Sequence, residues 1–203
     1  MVAARELMLA SRNAGKRREL EPVFAELGWT LLSLDALNIA SPEETAFSFL
    51  ENALLKARHA AERCQQWVLA EDSGLSVPSL GGAPGVYSAR YAGDDALDQE
   101  NNELLLQRMR HLTGAQREAY FVCVMVLLRG PEDPDPRFAR GVWQGKIAEE
   151  AKGAGGFGYD PVFLPYAMGE RSAAELSLKE KQDCSHRAQA LRKLLSEIQQ
   201  DAA

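Results

Sequence analysis

Tyr120 to Leu128 reads Tyr-Phe-Val-Cys-Val-Met-Val-Leu-Leu and is the most hydrophobic run in the chain. A run that is apolar on both faces of a strand belongs in the middle of a covered sheet. It therefore predicts a central strand. Pro131-Glu132-Asp133-Pro134-Asp135-Pro136 cannot continue a strand and predicts an exposed connection. Phe138 to Ile147 predicts the returning strand, with Gly141 and Gly145 allowing bends or bulges. The chain has 203 residues, 46% of them apolar, enough for one domain or for two small lobes that share a core. No repeat, low-complexity tract or linker interrupts it, so residues 1–203 are expected to form a single domain of two lobes.

Leu7 to Ala10 predicts a short buried strand, and Trp29 to Leu34 a second one. Between them Ser11-Arg12-Asn13-Ala14-Gly15-Lys16 reads as a loop, followed by Leu20, Val23, Phe24 and Leu27 at helical spacing. Gly28 is the expected stop. Pro22 conflicts with this helix, since an interior proline costs about 3 kcal/mol, and predicts a kink or an irregular turn. The strand–loop–helix order aims backbone N–H groups at whatever lies above the strand, a ready anion site. Lys16 adds a mobile positive charge. A Walker A loop is excluded, because its first glycine is missing and Arg17 stands where a hydroxyl would bind Mg²⁺.

Val68-Leu69-Ala70-Glu71-Asp72-Ser73-Gly74 is an apolar run that meets two carboxylates, a hydroxyl and a glycine, with a Gly81-Gly82-Ala83-Pro84-Gly85 turn beyond. It predicts a strand end carrying acids, where a hard cation and phosphates can meet; a solvated acidic turn is the plainer alternative. Ser41-Pro42-Glu43-Glu44 matches a helix start with a capping box. Phe47, Leu50, Leu54, Ala57 and Ala61 then mark one apolar face of a long helix. Glu43 and Glu44 either complement the helix dipole or ligate a metal facing Asp72.

Asp98 to Leu112 predicts a helix with Leu105, Met109 and Leu112 inward. Gly153-Ala154-Gly155-Gly156-Phe157-Gly158-Tyr159-Asp160-Pro161 interleaves glycines with two aromatics and an acid, as a binding loop does. Ser172-x-x-Glu175 and Ser177-x-x-Glu180 are capping boxes. Lys181 follows, and Ser185-His186-Arg187 opens a last helix. A positive first turn opposes the helix dipole, which points His186 and Arg187 toward an acceptor.

The formal net charge of −6 argues against non-specific nucleic-acid binding. Cys64, Cys123 and Cys184 are far apart and lack metal-ligand spacing, which fits a reducing compartment. No apolar run reaches membrane-spanning length, and Met1 to Glu6 does not read as a secretory leader. The expectation is a cytoplasmic protein with no membrane and no nucleic-acid partner.

Taken in order, Ser11-x-Asn13-x-x-Lys16, Glu43-Glu44, Glu71-Asp72-Ser73-Gly74, Gly81-Gly82-x-Pro84-Gly85, Gly155-Gly156-Phe157-Gly158-Tyr159-Asp160-Pro161 and Lys181 with Ser185-His186-Arg187 resemble the inosine/xanthosine triphosphate pyrophosphatases. The resemblance runs from Leu7 to the last helix. It implies an α/β fold of two lobes, with a long mixed β-sheet flanked by helices and an active-site cleft between the lobes. It also implies a homodimer, Mg²⁺ dependence, and hydrolysis of a purine nucleoside triphosphate such as ITP, dITP or XTP to the monophosphate and pyrophosphate. Ser11, Arg12, Asn13, Ala14, Gly15 and Lys16 would then bind phosphates. Asp72 would be the catalytic base and, with Glu43 and Glu44, a metal ligand. Ser73 would contact substrate, and Phe157, Gly158, Tyr159, Asp160, Lys181, His186 and Arg187 would form the base pocket, with Phe157 or Tyr159 stacking on the purine. Two departures from the family pattern are Arg12, where glycine is common, and Glu71, where aspartate is frequent. A pyrophosphatase for modified pyrimidine nucleotides and a nucleotide sensor without turnover are the competing readings.

Overall fold

The computed structural model describes residues 5–200. Residues 1–4, part of the stretch read above as no leader, lie outside them. Among the described residues six strands form one mixed sheet. They are β1 (Arg5–Leu9), β2 (Trp29–Ser33), β3 (Val68–Ser76), β4 (Glu118–Leu128), β5 (Arg137–Ile147) and β6 (Phe163–Pro165), in the order β2-β1-β3-β4-β5-β6. β1 pairs in parallel with β2 (Leu7 opposite Leu31) and with β3 (Leu9 opposite Leu69), while β5 and β6 are antiparallel. β4 is an interior strand, as its sequence predicts, and Phe121 to Leu128 are all buried.

Among the described residues five α-helices accompany the strands: α1 (Ala14–Glu26), α2 (Phe49–Cys64), α3 (Asp98–Met109), α4 (Leu178–Cys184) and α5 (His186–Gln200). α1 runs through Pro22 without a break, so the expected irregular turn is absent. Pro22 lies on the exposed side while Leu20 and Phe24 are buried; packing of that apolar face, more than propensity, sustains a helix in a folded chain. Leu27 is not inward. It follows the last helical residue, with Gly28 at φ +74°, so it has left the helical repeat.

The start of α2 also differs from expectation. Ser48 is its N-cap, its Oγ accepting from the Glu51 N–H and donating to the Glu51 carboxylate; Ser41 does not cap a helix. The Ser41–Phe47 stretch stays irregular because Asn52 takes both polar groups of Ala46, accepting from its N–H and donating to its C=O. Phe47 (88% exposed) and Leu50 therefore face outward. The buried face is Asn52, Ala53, Lys56, Ala57, Ala60 and Ala61.

The chain divides into two compact units. The first takes residues up to Asp72, Val124–Arg140 and the chain from Ala190; the second takes Ser73–Cys123 and Gly141–Gln189. In the first, Leu7, Met8, Leu9, Leu20, Val68 and Leu69 are buried, and Trp29 meets Phe24 and Trp67 edge-on. In the second, Leu75, Leu105, Met109, Phe121, Trp143 and Phe163 form the core. Buried Arg117 fastens it, donating to the carbonyls of Met109, Leu112, Ile147 and Ala148.

Candidate active site

β3 carries the acidic motif in its middle, not at its end. Glu71, Asp72, Ser73 and Gly74 are all strand residues, and Glu71 and Asp72 are buried, so the solvated turn is excluded. Successive strand side chains alternate, and the two acids find different partners. Glu71 Oε1 meets Lys16 Nζ of α1 at 3.0 Å, with the Glu71 side chain wholly buried. Asp72 Oδ1 accepts from Lys56 Nζ at 2.8 Å, and Lys56 Nζ also donates to Glu44 Oε1 at 2.9 Å. Asn52, one turn before Lys56 on α2, reaches Asp72 Oδ2 with a long 3.5 Å contact.

Burial pushes the Asp72 carboxyl above its ordinary range, and the Glu44 charge adds to that against the opposing pull of Lys56. For Glu44 burial also acts upward, but Lys56 outweighs it and holds this carboxyl low. Lys56 keeps its proton more firmly than an ordinary lysine, because the two carboxylates overcome its burial. A carboxylate of raised pKa beside a fixed ammonium is suited to accept a proton.

The loop before α1 is built by its own side chains. Ser11 Oγ accepts from the Asn13 N–H, and Asn13 Oδ1 caps α1 by accepting from the Lys16 N–H. The Ala14 and Gly15 N–H groups make no hydrogen bond among the described residues, leaving two donors at a helix N-terminus. Arg12 is tied sideways: its guanidinium donates to Ile39 O and pairs with Asp35 at 3.2 Å.

In the second unit, a Phe157-centred cluster forms. Asp160 Oδ2 accepts from the Phe157 N–H at 2.9 Å and pairs with Lys181 Nζ at 2.7 Å. A Cβ on Gly156 would fall 2.1 Å from that same Oδ2, so only glycine allows the turn. Lys181 Nζ and the Arg187 guanidinium lie 5.3 and 5.5 Å from the Phe157 ring centre. Arg187, 3% exposed, donates to Ser73 Oγ at 3.2 Å. His186 stacks on Phe121 at 4.7 Å with its ring nearly parallel. The first turn of α5 is thus buried among aromatics and is no charged surface turn.

Residues 7–197 match the sequence pattern of the Ham1 family. The chain belongs to the Ham1 family. It is 48% identical over 193 residues to a protein named dITP/XTP pyrophosphatase from Escherichia coli strain K12, covering 95% of this chain and 98% of the relative. Its identity to one of the same name from Yersinia pseudotuberculosis is 49%, over the same shares. Among solved structures, a HAM1 protein from Coxiella burnetii superimposes with a TM-score of 0.87 at 40% identity, covering 97% of this chain and 99% of that one. The Staphylococcus aureus Ham1 protein gives 0.84 at 37% identity, covering 97% and 100%.

In this Ham1 chain the residues expected to act together fall into two sets. Lys16 and Asp72 stand with Glu71 and Glu44 in the first unit; Ser73, Phe157, Asp160, Lys181, His186 and Arg187 stand together in the second. Tyr159 does not offer a stacking face: it is buried and its hydroxyl donates to Ser88 O at 2.8 Å. Arg12 pairs with Asp35 and donates to Ile39 O, an exposed contact beside the loop. Glu43 is exposed and makes no ion pair among the described residues. Sequence reasoning missed Lys56 and Asn52. Their signal is present: they share one helical face with Ala53, Ala57, Ala60 and Ala61, and a lysine and an asparagine on a buried alanine face need polar partners.

Proposed function

We propose that this chain hydrolyses non-standard purine nucleoside triphosphates (ITP, dITP and XTP) to the monophosphate and pyrophosphate. The observation that carries this reading is near-full-length likeness to proteins named for dITP and XTP. The residue roles rest on the geometry. Water attacks the α-phosphorus, the bond to the bridging oxygen of the β-phosphate breaks, and pyrophosphate leaves. Asp72 accepts the water's proton. Lys16 and the N–H groups of Ala14 and Gly15 hold phosphate oxygens. Glu44 and Asp72 already converge on one positive charge, Lys56 Nζ, so they fit a hard cation, although no group of three or more His, Cys, Asp or Glu is poised for a metal among the described residues. Mg²⁺ takes one or two carboxylates and completes its shell with phosphates and water. Glu44 and Asp72 would hold it, and when bound it would neutralise phosphate oxygens.

The base is read by Arg187 and Phe157. Arginine has only donors, so Arg187 pairs with a 6-oxo group and opposes a 6-amino group, while half-buried Phe157 supplies an aromatic surface. Homodimerisation and a cytoplasmic setting belong to the same reading. Pyrophosphate release, measured across ITP, XTP, dITP and the four standard triphosphates with Mg²⁺, tests it. The expected result is release from the first three at least about tenfold faster than from ATP, since a misplaced buried donor costs about 1–3 kcal/mol. No release, or equal release from ATP, contradicts it.

A further inference from the structure

The glycine loop that carries Phe157 is not held by its own residues alone. Asp98, the first residue of α3, accepts from the Gly158 N–H at 2.6 Å through Oδ2. Asn102, one turn later on α3, donates through Nδ2 to the Gly158 carbonyl at 2.9 Å. Both polar groups of a single glycine are therefore clamped by one helical face at i and i+4. Gly158 sits at φ +59°, a conformation that favours glycine, so the loop turns at the clamped residue.

Asn101, between them, faces a second segment. Its Oδ1 accepts from the Ala92 N–H at 2.8 Å and its Nδ2 donates to Ala89 O at 3.2 Å. This fixes the turn that contains Ser88. Ser88 in turn offers its carbonyl to the Tyr159 hydroxyl and its Oγ to the Leu75 N–H. So α3 locates the residues on both sides of the loop's turn: Gly158 directly, and Tyr159 through Ser88. Phe157 immediately precedes the clamp. All of these groups lie in the second unit.

We infer that the first two turns of α3 are the positioning element for base recognition, with Asp98 and Asn102 as positioning residues that set where the Phe157 ring stands. Neither touches Phe157, Lys181 or Arg187 in the contacts described above; each acts through Gly158. The role rests on the proposed function, because it concerns how a base is read. It goes beyond that function in assigning specificity to a helix whose sequence reads only as an ordinary amphipathic segment.

The test compares Asp98→Ala, Asp98→Asn and Asn102→Ala with the wild type. Asparagine at 98 keeps an acceptor oxygen for the Gly158 N–H; alanine does not. Loss of a partner for one such group corresponds to about a tenfold effect. Asp98→Ala is therefore expected to raise KM for ITP by about tenfold with a smaller change in kcat. Asp98→Asn is expected to restore most of the loss, and Asn102→Ala to resemble Asp98→Ala. A second readout needs no turnover: amide exchange at Gly158, followed by NMR in the nucleotide-free protein, is expected to accelerate in Asp98→Ala and not in Asp98→Asn. If wild type hydrolyses ITP and Asp98→Ala, though folded, keeps the wild-type KM, the positioning role is overturned while the proposed function stands. If Gly158 exchange is unchanged in Asp98→Ala, the clamp itself is overturned. If wild type does not hydrolyse ITP, the proposed function falls and this role falls with it.

Discussion

Asp72 and Ser73 are neighbours on β3, yet their surroundings differ in kind. Around Asp72 the charges are dense and paired: Glu44 and Asp72 share Lys56, and Glu71 next to them holds Lys16. Around Ser73 stand Arg187, which donates to Ser73 Oγ and lies over the Phe157 ring, and the Asp160–Lys181 pair. The first setting tunes carboxylates, since small changes in a buried charge array move proton affinities in opposite directions. The second presents donors and an aromatic ring, which suits a flat acceptor-rich ligand. One strand thus carries two chemistries, and each is testable apart from the other.

The largest expected effect is on the acidic side. Asp72→Asn removes the proton acceptor and should lower kcat for ITP by about a thousandfold, while ITP affinity measured by calorimetry stays within about threefold. Wild-type turnover in this variant would remove Asp72 from the chemistry. Next, Arg187→Ala should cut kcat/KM for ITP by about tenfold to a hundredfold and hardly change it for ATP. An unchanged ITP/ATP ratio would mean that Arg187 does not read the base.

A third expectation concerns pH. In the metal-free protein the Asp72 carboxyl should titrate above its ordinary range, as followed by carboxyl NMR. Lys56 works against the elevation, so Lys56→Met should move that titration to higher pH, and Lys56→Arg should not. The same shifts carry a stability sign. Asp72, raised in the folded protein, lowers folding stability as pH climbs from the unfolded carboxyl pKa through the folded one. Glu44, lowered, contributes stability above the unfolded pKa that is lost as pH falls through the folded one. An Asp72 titration that stays in place in metal-free Lys56→Met would break the proposed coupling. The smallest effect belongs to Tyr159→Phe, which deletes the bond to Ser88 O and should lower stability by about 1 kcal/mol in urea unfolding. No loss would show that this hydroxyl does not anchor the loop.

Much of this organisation was legible in the sequence because it rests on local rules. β4 follows from an uninterrupted apolar run, α1 from its apolar spacing and its Gly28 stop, and the boxes at Ser172 and Ser177 from their spacing. Cations placed against a helix dipole pointed to an acceptor, and Arg187 donates to Ser73 Oγ; the burial of that turn among aromatics did not follow from the dipole. Two further features were not legible. Ser41-x-x-Glu44 and Ser48-x-x-Glu51 satisfy the same capping pattern, and what chooses between them is Asn52 gripping Ala46, a contact that no spacing rule contains. Tyr159 and Phe157 look equivalent in a glycine-rich loop, and the choice is made by Ser88, 71 residues away in the chain.

Hydrolysis of ITP in ¹⁸O-labelled water tests the central claim most directly, because it reports which phosphorus the water attacks. Attack at the α-phosphorus, assisted by Asp72, predicts ¹⁸O in the inosine monophosphate and none in the pyrophosphate. Label in pyrophosphate, or in free orthophosphate, would place the attack elsewhere and contradict the account.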